Sequence, residues 1–379
     1  MRDAVIIGAV RTPVGKRNGS YADVHPAVLS AHVLSALAER TGVDPAAVDD
    51  VVWGCVSQVG AQSINIARSA VLGAGWPESV PAVTVDRQCG SSQQAVHFAA
   101  ALVTSGQADV VVAGGVEAMS MVPIGSNASG DFGAPYGPLV ADRYPDGFNQ
   151  GIGAEMIAEK WNLSRAQLDE YSLSSHEKAA RAIDSGAFNA QYAQIPGSRL
   201  EVDEGVRRGT TLDKLASLKP AFKEGGVIHA GNSSQISDGA GALLITSAEK
   251  AAELGVRPLV RLHSFAVVGD DPVIMLTGPI PATAKVLSRA GLSIDDIGAF
   301  EINEAFAPVP LAWLAETGAD PARLNPLGGA IAIGHPLGGS GAILMTRLVH
   351  HMVDNGIHYG LQSMCEGGGL ANATVLELL

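Results

Sequence analysis

Two of the three cysteines, one glycine-flanked histidine and one asparagine stand where side chains can do chemistry. Cys89 lies in Val85-Asp86-Arg87-Gln88-Cys89-Gly90-Ser91-Ser92, where a strand pattern gives way to a helix rich in small residues. A helix N-terminus offers unpaired N–H groups and positive potential, which lowers a thiol pKa and favours the nucleophilic thiolate. An inert buried cysteine is the competing reading of that segment. His335 sits in a loop over 328–341 with glycines on both sides, after which a helix begins. Such a loop lets backbone approach a ligand closely while holding an imidazole at the surface of a cleft. It lacks the Lys-Ser/Thr ending of a phosphate-binding P-loop. Cys365 ends another strand pattern, in Met364-Cys365-Glu366-Gly367-Gly368-Gly369, and the glycines after it supply N–H donors for an oxyanion hole. Two thiols and one imidazole suit a reaction that needs a nucleophile and a separate acid/base. Asn303, in Glu301-Ile302-Asn303-Glu304-Ala305-Phe306, is placed to hold a water or a carbonyl oxygen, with helix capping as the alternative. Cys55 matches none of these contexts and reads as packing.

The elements that must position these residues follow an α/β alternation of short Val/Ile runs and longer Ala-rich stretches. Strands are expected at 4–7, 50–53, 82–85, 109–113, 259–266, 298–302, 363–365 and 372–377. Helices are expected at 28–40, 93–104, 153–161, 165–186, 281–290, 307–316 and 341–355. The segment opened by Cys89 and the one opened by Gly338 follow one plan: a small-residue helix, a turn, then a strand running into glycines. This predicts a duplicated α/β unit. The N-terminal half is expected over 1–117, completed by about 236–258, and the C-terminal half over 259–379. Residues 118–235 shift toward Gly, Pro, Ser, Asp and Tyr and read as an inserted loop domain.

Composition bounds the rest. The 379 residues are 47% hydrophobic and 5% aromatic with 45 glycines, so a large core closely packed through small residues is expected. The formal net charge of -13 argues against general nucleic-acid binding, which rests on neutralising phosphates. No apolar run approaches the ~18 residues that span a bilayer. Three cysteines are no disulfide framework, and no metal-ligand spacing appears. With a strand pattern beginning at once, a cytoplasmic location is the expectation.

Taken together, the Cys-Gly-Ser-Ser, Asn-Glu-Ala-Phe, Gly-His-Pro and Cys-x-Gly-Gly segments resemble the signature motifs of the thiolase family, in the family's order and over essentially the whole chain. Arg11-Thr12-Pro13-Val14-Gly15-Lys16 and Ala230-Gly231-Asn232-Ser233-Ser234 also match. The resemblance implies a five-layered fold of two α-β-α-β-α halves with a loop domain, assembled as a homodimer or homotetramer. It implies thiolysis of a 3-ketoacyl-CoA, or the reverse Claisen condensation of acyl-CoA thioesters. Cys89 would be the acylated nucleophile, His335 its base, and Cys365 the acid/base acting on the acetyl-CoA carbanion or the incoming thiol. Asn303, through a water, and His335 would form one oxyanion hole, and the N–H groups of Cys89 and Gly367 the other. CoA is then a substrate and no cofactor is required. Its nucleotide end would meet Arg207 and its pantetheine arm Ser234; Lys214, Lys219 and Lys223 read mostly as solvated charge.

Three departures from the family pattern stand out. The loop near Asn149-Gln150-Gly151 lacks the His-Met of acetoacetyl-CoA-specific members, which points to a longer or bulkier acyl group. Gln235 replaces a usual glycine after Ser234. Glu366 puts a carboxylate beside Cys365, which raises that thiol's pKa unless it points away. Rival readings are an acetoacetyl-CoA-specific biosynthetic enzyme, a decarboxylating condensing enzyme and a non-catalytic acyl-CoA-binding subunit.

Overall fold

A computed structural model describes residues 2–130 and 133–379. Its strands, in chain order, are β1 (Ala4–Arg11), β2 (Gly15–Lys16), β3 (Asp50–Gly54), β4 (Ala82–Val85), β5 (Val110–Ala118), β6 (Ser237–Ser247), β7 (Val260–Gly269), β8 (Ala299–Ile302), β9 (Tyr359–Glu366) and β10 (Leu370–Leu378). They run in the order β4-β3-β5-β6-β1-β7-β10-β9-β8, with β2 on the end of β6. The duplication is explicit in the pairing. Parallel β3 and β5 are followed by antiparallel β6 and then β1. Parallel β8 and β9 are followed by antiparallel β10 and then β7. The first half adds β4, parallel to β3, at its outer edge. The two halves meet where β1 and β7 pair through Val5↔Arg261 and Ile6↔Val260.

Side chains alternate across a strand, so each sheet feeds two cores. Val5, Ile7 and Val10 of β1 pack outward with Leu29, Val33 and Leu34 of the helix Pro26–Thr41. Ala4, Ile6 and Ala9 pack inward, with Ala95, Val96 and Ala99 of the helix Ser91–Ser105 and Met345 and Leu348 of the helix Ser340–Asn355. A register shift between Ile6 and Gly8 carries the alternation across the bulge. On the far side, Ala371, Ala373 and Val375 of β10 meet Val286 of the helix Pro279–Ala290 and Trp313 of the helix Pro308–Thr317. The result is helix, sheet, helix pair, sheet, helix: five layers.

The two central helices are buried on nearly every side and touch at their first turns. A Cβ on Gly341 would lie 2.4 Å from the backbone nitrogen of Gln93. Their N-termini therefore emerge together, at the carboxyl ends of the parallel strands, where open α/β sheets hold their ligands.

Between β5 and β6 the regular elements are helices joined by long loops, the longest helices being Gln150–Lys160 and Arg165–Asp184. The fully buried Arg11–Asp203 ion pair, at 2.7 Å, ties this segment to β1, with Phe188 and Tyr192 stacked on the guanidinium. β6 is the one long strand that the sequence pattern does not predict. Its first half, Ser237-Asp238-Gly239-Ala240-Gly241-Ala242, lacks β-branched residues, yet all eleven positions of the strand are buried.

Candidate active site

Cys89 stands in a tight turn between β4 and the helix Ser91–Ser105. The turn forces Gln88 to φ 48, a left-handed conformation uncommon outside glycine. Ser91 Oγ holds it, accepting from the Arg87 N–H at 2.9 Å and donating to the Gln88 carbonyl at 2.6 Å. The N–H groups of Cys89 itself and of Gly367 both point at the sulfur. Burial still pushes the thiol well above its ordinary value, and the charges of Cys365 and Glu366 add to the rise. At rest Cys89 is therefore a neutral thiol, not the thiolate that the helix N-terminus alone suggests. It needs a base.

His335 is that candidate base. Its loop passes so close to Ser237 that a Cβ on Gly334 would meet Ser237 Oγ at 2.0 Å, and Gly334 has φ 104. The His335 N–H donates to the Gln235 carbonyl at 3.0 Å. The Gln235 side-chain amide in turn donates to the carbonyls of Gly205, Ile331 and Ala332. That explains the departure at 235: the amide pins the histidine loop. Nδ1 of His335 lies 2.6 Å from Ser340 Oγ, whose own proton goes to the Pro336 carbonyl at 2.8 Å. Nδ1 is thereby the donor, and Nε2 is left bare. Burial holds the imidazole down to about 4, neutral near pH 7.

Asn303 faces Nε2 from the end of β8. Its Nδ2 lies 3.5 Å from His335 Nε2 and 3.7 Å from Cys365 Sγ. The following helix begins only at Pro308, so Asn303 is not a helix cap. Its buried Oδ1 has no hydrogen-bond partner among the described residues, leaving an acceptor free inside the site. Cys365 is fully buried and pushed up to about 12, chiefly by burial and with the charge of Glu366 adding to the rise, against the pull of Asn303 and of the N–H groups of Cys365 and Ala305. It rests as a thiol, able to give a proton. Glu366, the next residue on β9, faces the other side of the sheet, toward Gly90.

Cys89, Asn303, His335, Cys365 and Gly367 thus come together, whereas Arg207 and Ser234 line a separate, open cleft of about 570 Å³. Lys16, Arg17, Glu204 and Gln235 share its wall. Lys16 is engaged by Glu204 at 3.6 Å, and Arg208 points away to pair with Asp184 at 2.8 Å. Sequence reasoning did not single out Arg17, Ser340 or the bonds of Gln235. Cys55 is buried against Glu117, its thiol pushed far up by burial, and lies outside the cluster.

The family model for the thiolase N-terminal domain matches residues 4–249, and that for the C-terminal domain matches 256–378. A steroid 3-ketoacyl-CoA thiolase of Mycobacterium tuberculosis is 52% identical, over all of this chain and 95% of its own. A 3-ketoacyl-CoA thiolase of Yersinia pestis is 45% identical with both chains fully covered. The crystal structure of the Bacillus anthracis acetyl-CoA acetyltransferase superposes with a TM-score of 0.93 at 37% identity, covering 100% of this chain and 99% of that one. With both halves matched and the whole chain aligned to these relatives, the protein belongs to the thiolase family.

Proposed function

We propose that this chain catalyses CoA-dependent cleavage of a 3-ketoacyl-CoA to acetyl-CoA and a shortened acyl-CoA, and the reverse condensation, through an acyl-Cys89 intermediate. The observation that carries the reading is one buried site in which an imidazole nitrogen, an amide that faces it and two protonated thiols converge. The names of the relatives at 52% and 45% identity support the thiolytic sense.

In this reading His335 Nε2 takes the Cys89 proton as the sulfur attacks the C3 ketone. The C2–C3 bond breaks, and its electron pair becomes the enolate of acetyl-CoA. Cys365 protonates C2, releasing acetyl-CoA. The resulting Cys365 thiolate takes the proton of an incoming CoA thiol, whose sulfur attacks the acyl-Cys89 thioester. Cys89 leaves as a thiolate and recovers its proton from His335. Asn303 and His335 stabilise the enolate oxygen, and the N–H groups of Cys89 and Gly367 the oxygen of the acyl group. No step requires a redox cofactor or metal.

Arg207 and Ser234 bind the nucleotide and pantetheine parts of CoA in the open cleft, where Arg17 adds a cation. A homo-oligomer and a cytoplasmic location belong to the same proposal; three free cysteines with no disulfide among them accord with a reducing compartment. Among the described residues, no helix is long and apolar enough to cross a membrane.

Thiolysis of 3-ketoacyl-CoA, followed by the loss of the enolate absorbance, tests the reading. Cys89→Ala should abolish turnover and the acyl-enzyme mass shift, while Arg207→Ala should raise the KM for CoA with kcat nearly unchanged. Residual turnover in Cys89→Ala near the wild-type rate overturns the proposal.

A further inference from the structure

Glu366 is a fully buried carboxyl, and neither of its oxygens has a hydrogen-bond partner among the described residues. It is wedged against the residue after the candidate nucleophile: a Cβ on Gly90 would lie 1.9 Å from Glu366 Oε1. Only glycine at 90 leaves room for it. From β10, Asn372 closes the same pocket, donating through Nδ2 to the Gly90 carbonyl at 3.0 Å and leaving its own Oδ1 unpartnered. Arg87, with a buried Nε, stands nearby but among the described residues makes no ion pair within 4.0 Å. The carboxyl thus sits beside Gly90, which opens the positive end of the fifteen-residue helix Ser91–Ser105.

An ionised carboxylate at a helix N-terminus neutralises the field that the terminus presents to its other neighbours. A neutral acid leaves that field in place. Cys89 is such a neighbour, and burial already opposes its thiolate.

We propose that Glu366 is a positioning residue for the reaction: as a neutral acid it leaves the positive end of the Ser91–Ser105 helix to Cys89, and on ionising it withdraws that field. The proposal rests on Cys89 being the nucleophile. The charged and titratable groups facing Glu366 are Arg87 and Asp86 from the turn after β4, Cys89 at the helix start and Cys365 beside it on β9; Asn372 from β10 is neutral. Burial pushes the carboxyl up to about 8, against the pull of Arg87, with Asp86 adding to the rise. The acid form therefore prevails near neutrality, and ionisation falls where thiols begin to titrate.

The test is the rate of Cys89 alkylation by iodoacetamide from pH 6 to pH 10, read by peptide mass, in wild type and E366Q. The two should react alike below about pH 7, where Glu366 is neutral and glutamine is its near isostere. Above about pH 8.5 E366Q should react faster by about five- to tenfold, because glutamine cannot acquire the opposing charge. The kcat/KM of thiolysis should hold to higher pH in E366Q than in wild type. Parallel profiles, or a uniform change at every pH, overturn the proposal; the uniform change would mark a merely structural role. Should E366Q not fold, Arg87→Met addresses the same point with Glu366 in place. Removing the cation should move the wild-type break to higher pH, and an unmoved break overturns the proposal. Failure of Cys89 to react in any variant, with thiolysis intact, would instead count against Cys89 as nucleophile.

Discussion

A buried imidazole can take a proton at Nε2 only while Nδ1 keeps its own, and Ser340 enforces this. Its hydroxyl proton is committed to the Pro336 carbonyl, so the oxygen offers His335 Nδ1 only lone pairs. Ser340→Ala removes that acceptor without changing the acid/base groups, and both tautomers become accessible. Hydrogen bonds that orient metal-bound histidines in the same way are worth about 10–100-fold in activity, and we take that scale here. We expect kcat for thiolysis to fall by about that factor while the KM for CoA stays within about twofold of wild type; a kcat within twofold of wild type would sink the assignment. The residues that meet the substrate in the proposed reaction were legible because thiols, imidazole and amide are rare and sit beside glycines. Ser340 was not, since its bond to His335 depends on how the loop turns between them. Nor was the direction of Glu366. Strand alternation turns its carboxyl toward Gly90, yet its charge still adds to the rise of the Cys365 thiol, as its place in the sequence suggests.

The central helix pair sets the distance between those residues. Cys89 precedes one helix and His335 the other, so the contact between their first turns spaces base and nucleophile. That contact runs through Gly341, against the Gln93 backbone and Cβ. Gly341→Ala inserts a methyl group where only backbone can yield. Overpacking of this kind costs about 1–3 kcal/mol, and kcat should fall with the stability because the two turns separate. Gly73, near the end of the helix Ile66–Gly73, is a matched control. A Cβ there would make ordinary contact with Ala31 at 3.6 Å, so Gly73→Ala should be neutral or stabilising by up to ~1 kcal/mol. Urea denaturation of both variants checks this; equal midpoints would show that the helices have slack. The same close packing hid β6 from the sequence pattern. A Cβ on Gly241 would lie 2.9 Å from the Ile343 nitrogen and 3.1 Å from the Ala342 carbonyl carbon, so a strand that should carry Val and Ile carries Gly and Ala instead. β3, whose Val51 and Val52 each fill a core on one face, was legible for the opposite reason.

At the scale of the whole molecule the duplicated plan was legible, because both halves repeat a small-residue helix followed by a strand ending in glycines. What each half leaves open was not. The outer edge of β4 pairs with no other strand among those described, and the exposed faces of Val83 and Phe98, each 43% accessible, flank it. Nearby in sequence, Ile64 is completely exposed at φ 65, a conformation that a β-branched side chain adopts only under strain. An open edge beside exposed apolar groups is a liability for a monomer and a ready seam for a second copy. The charge of -13 sharpens the point, since two acidic chains repel and only the burial of apolar surface offsets that repulsion. We therefore expect sedimentation equilibrium to give a mass that is a multiple of 38.8 kDa, two or four chains, at micromolar concentration. Val83→Asp, which places a charge on that edge away from the proposed catalytic cluster, should shift the population toward the single chain. A wild-type protein that sediments as one chain would overturn the proposed oligomer. An assembly unaffected by Val83→Asp would place the seam elsewhere than β4.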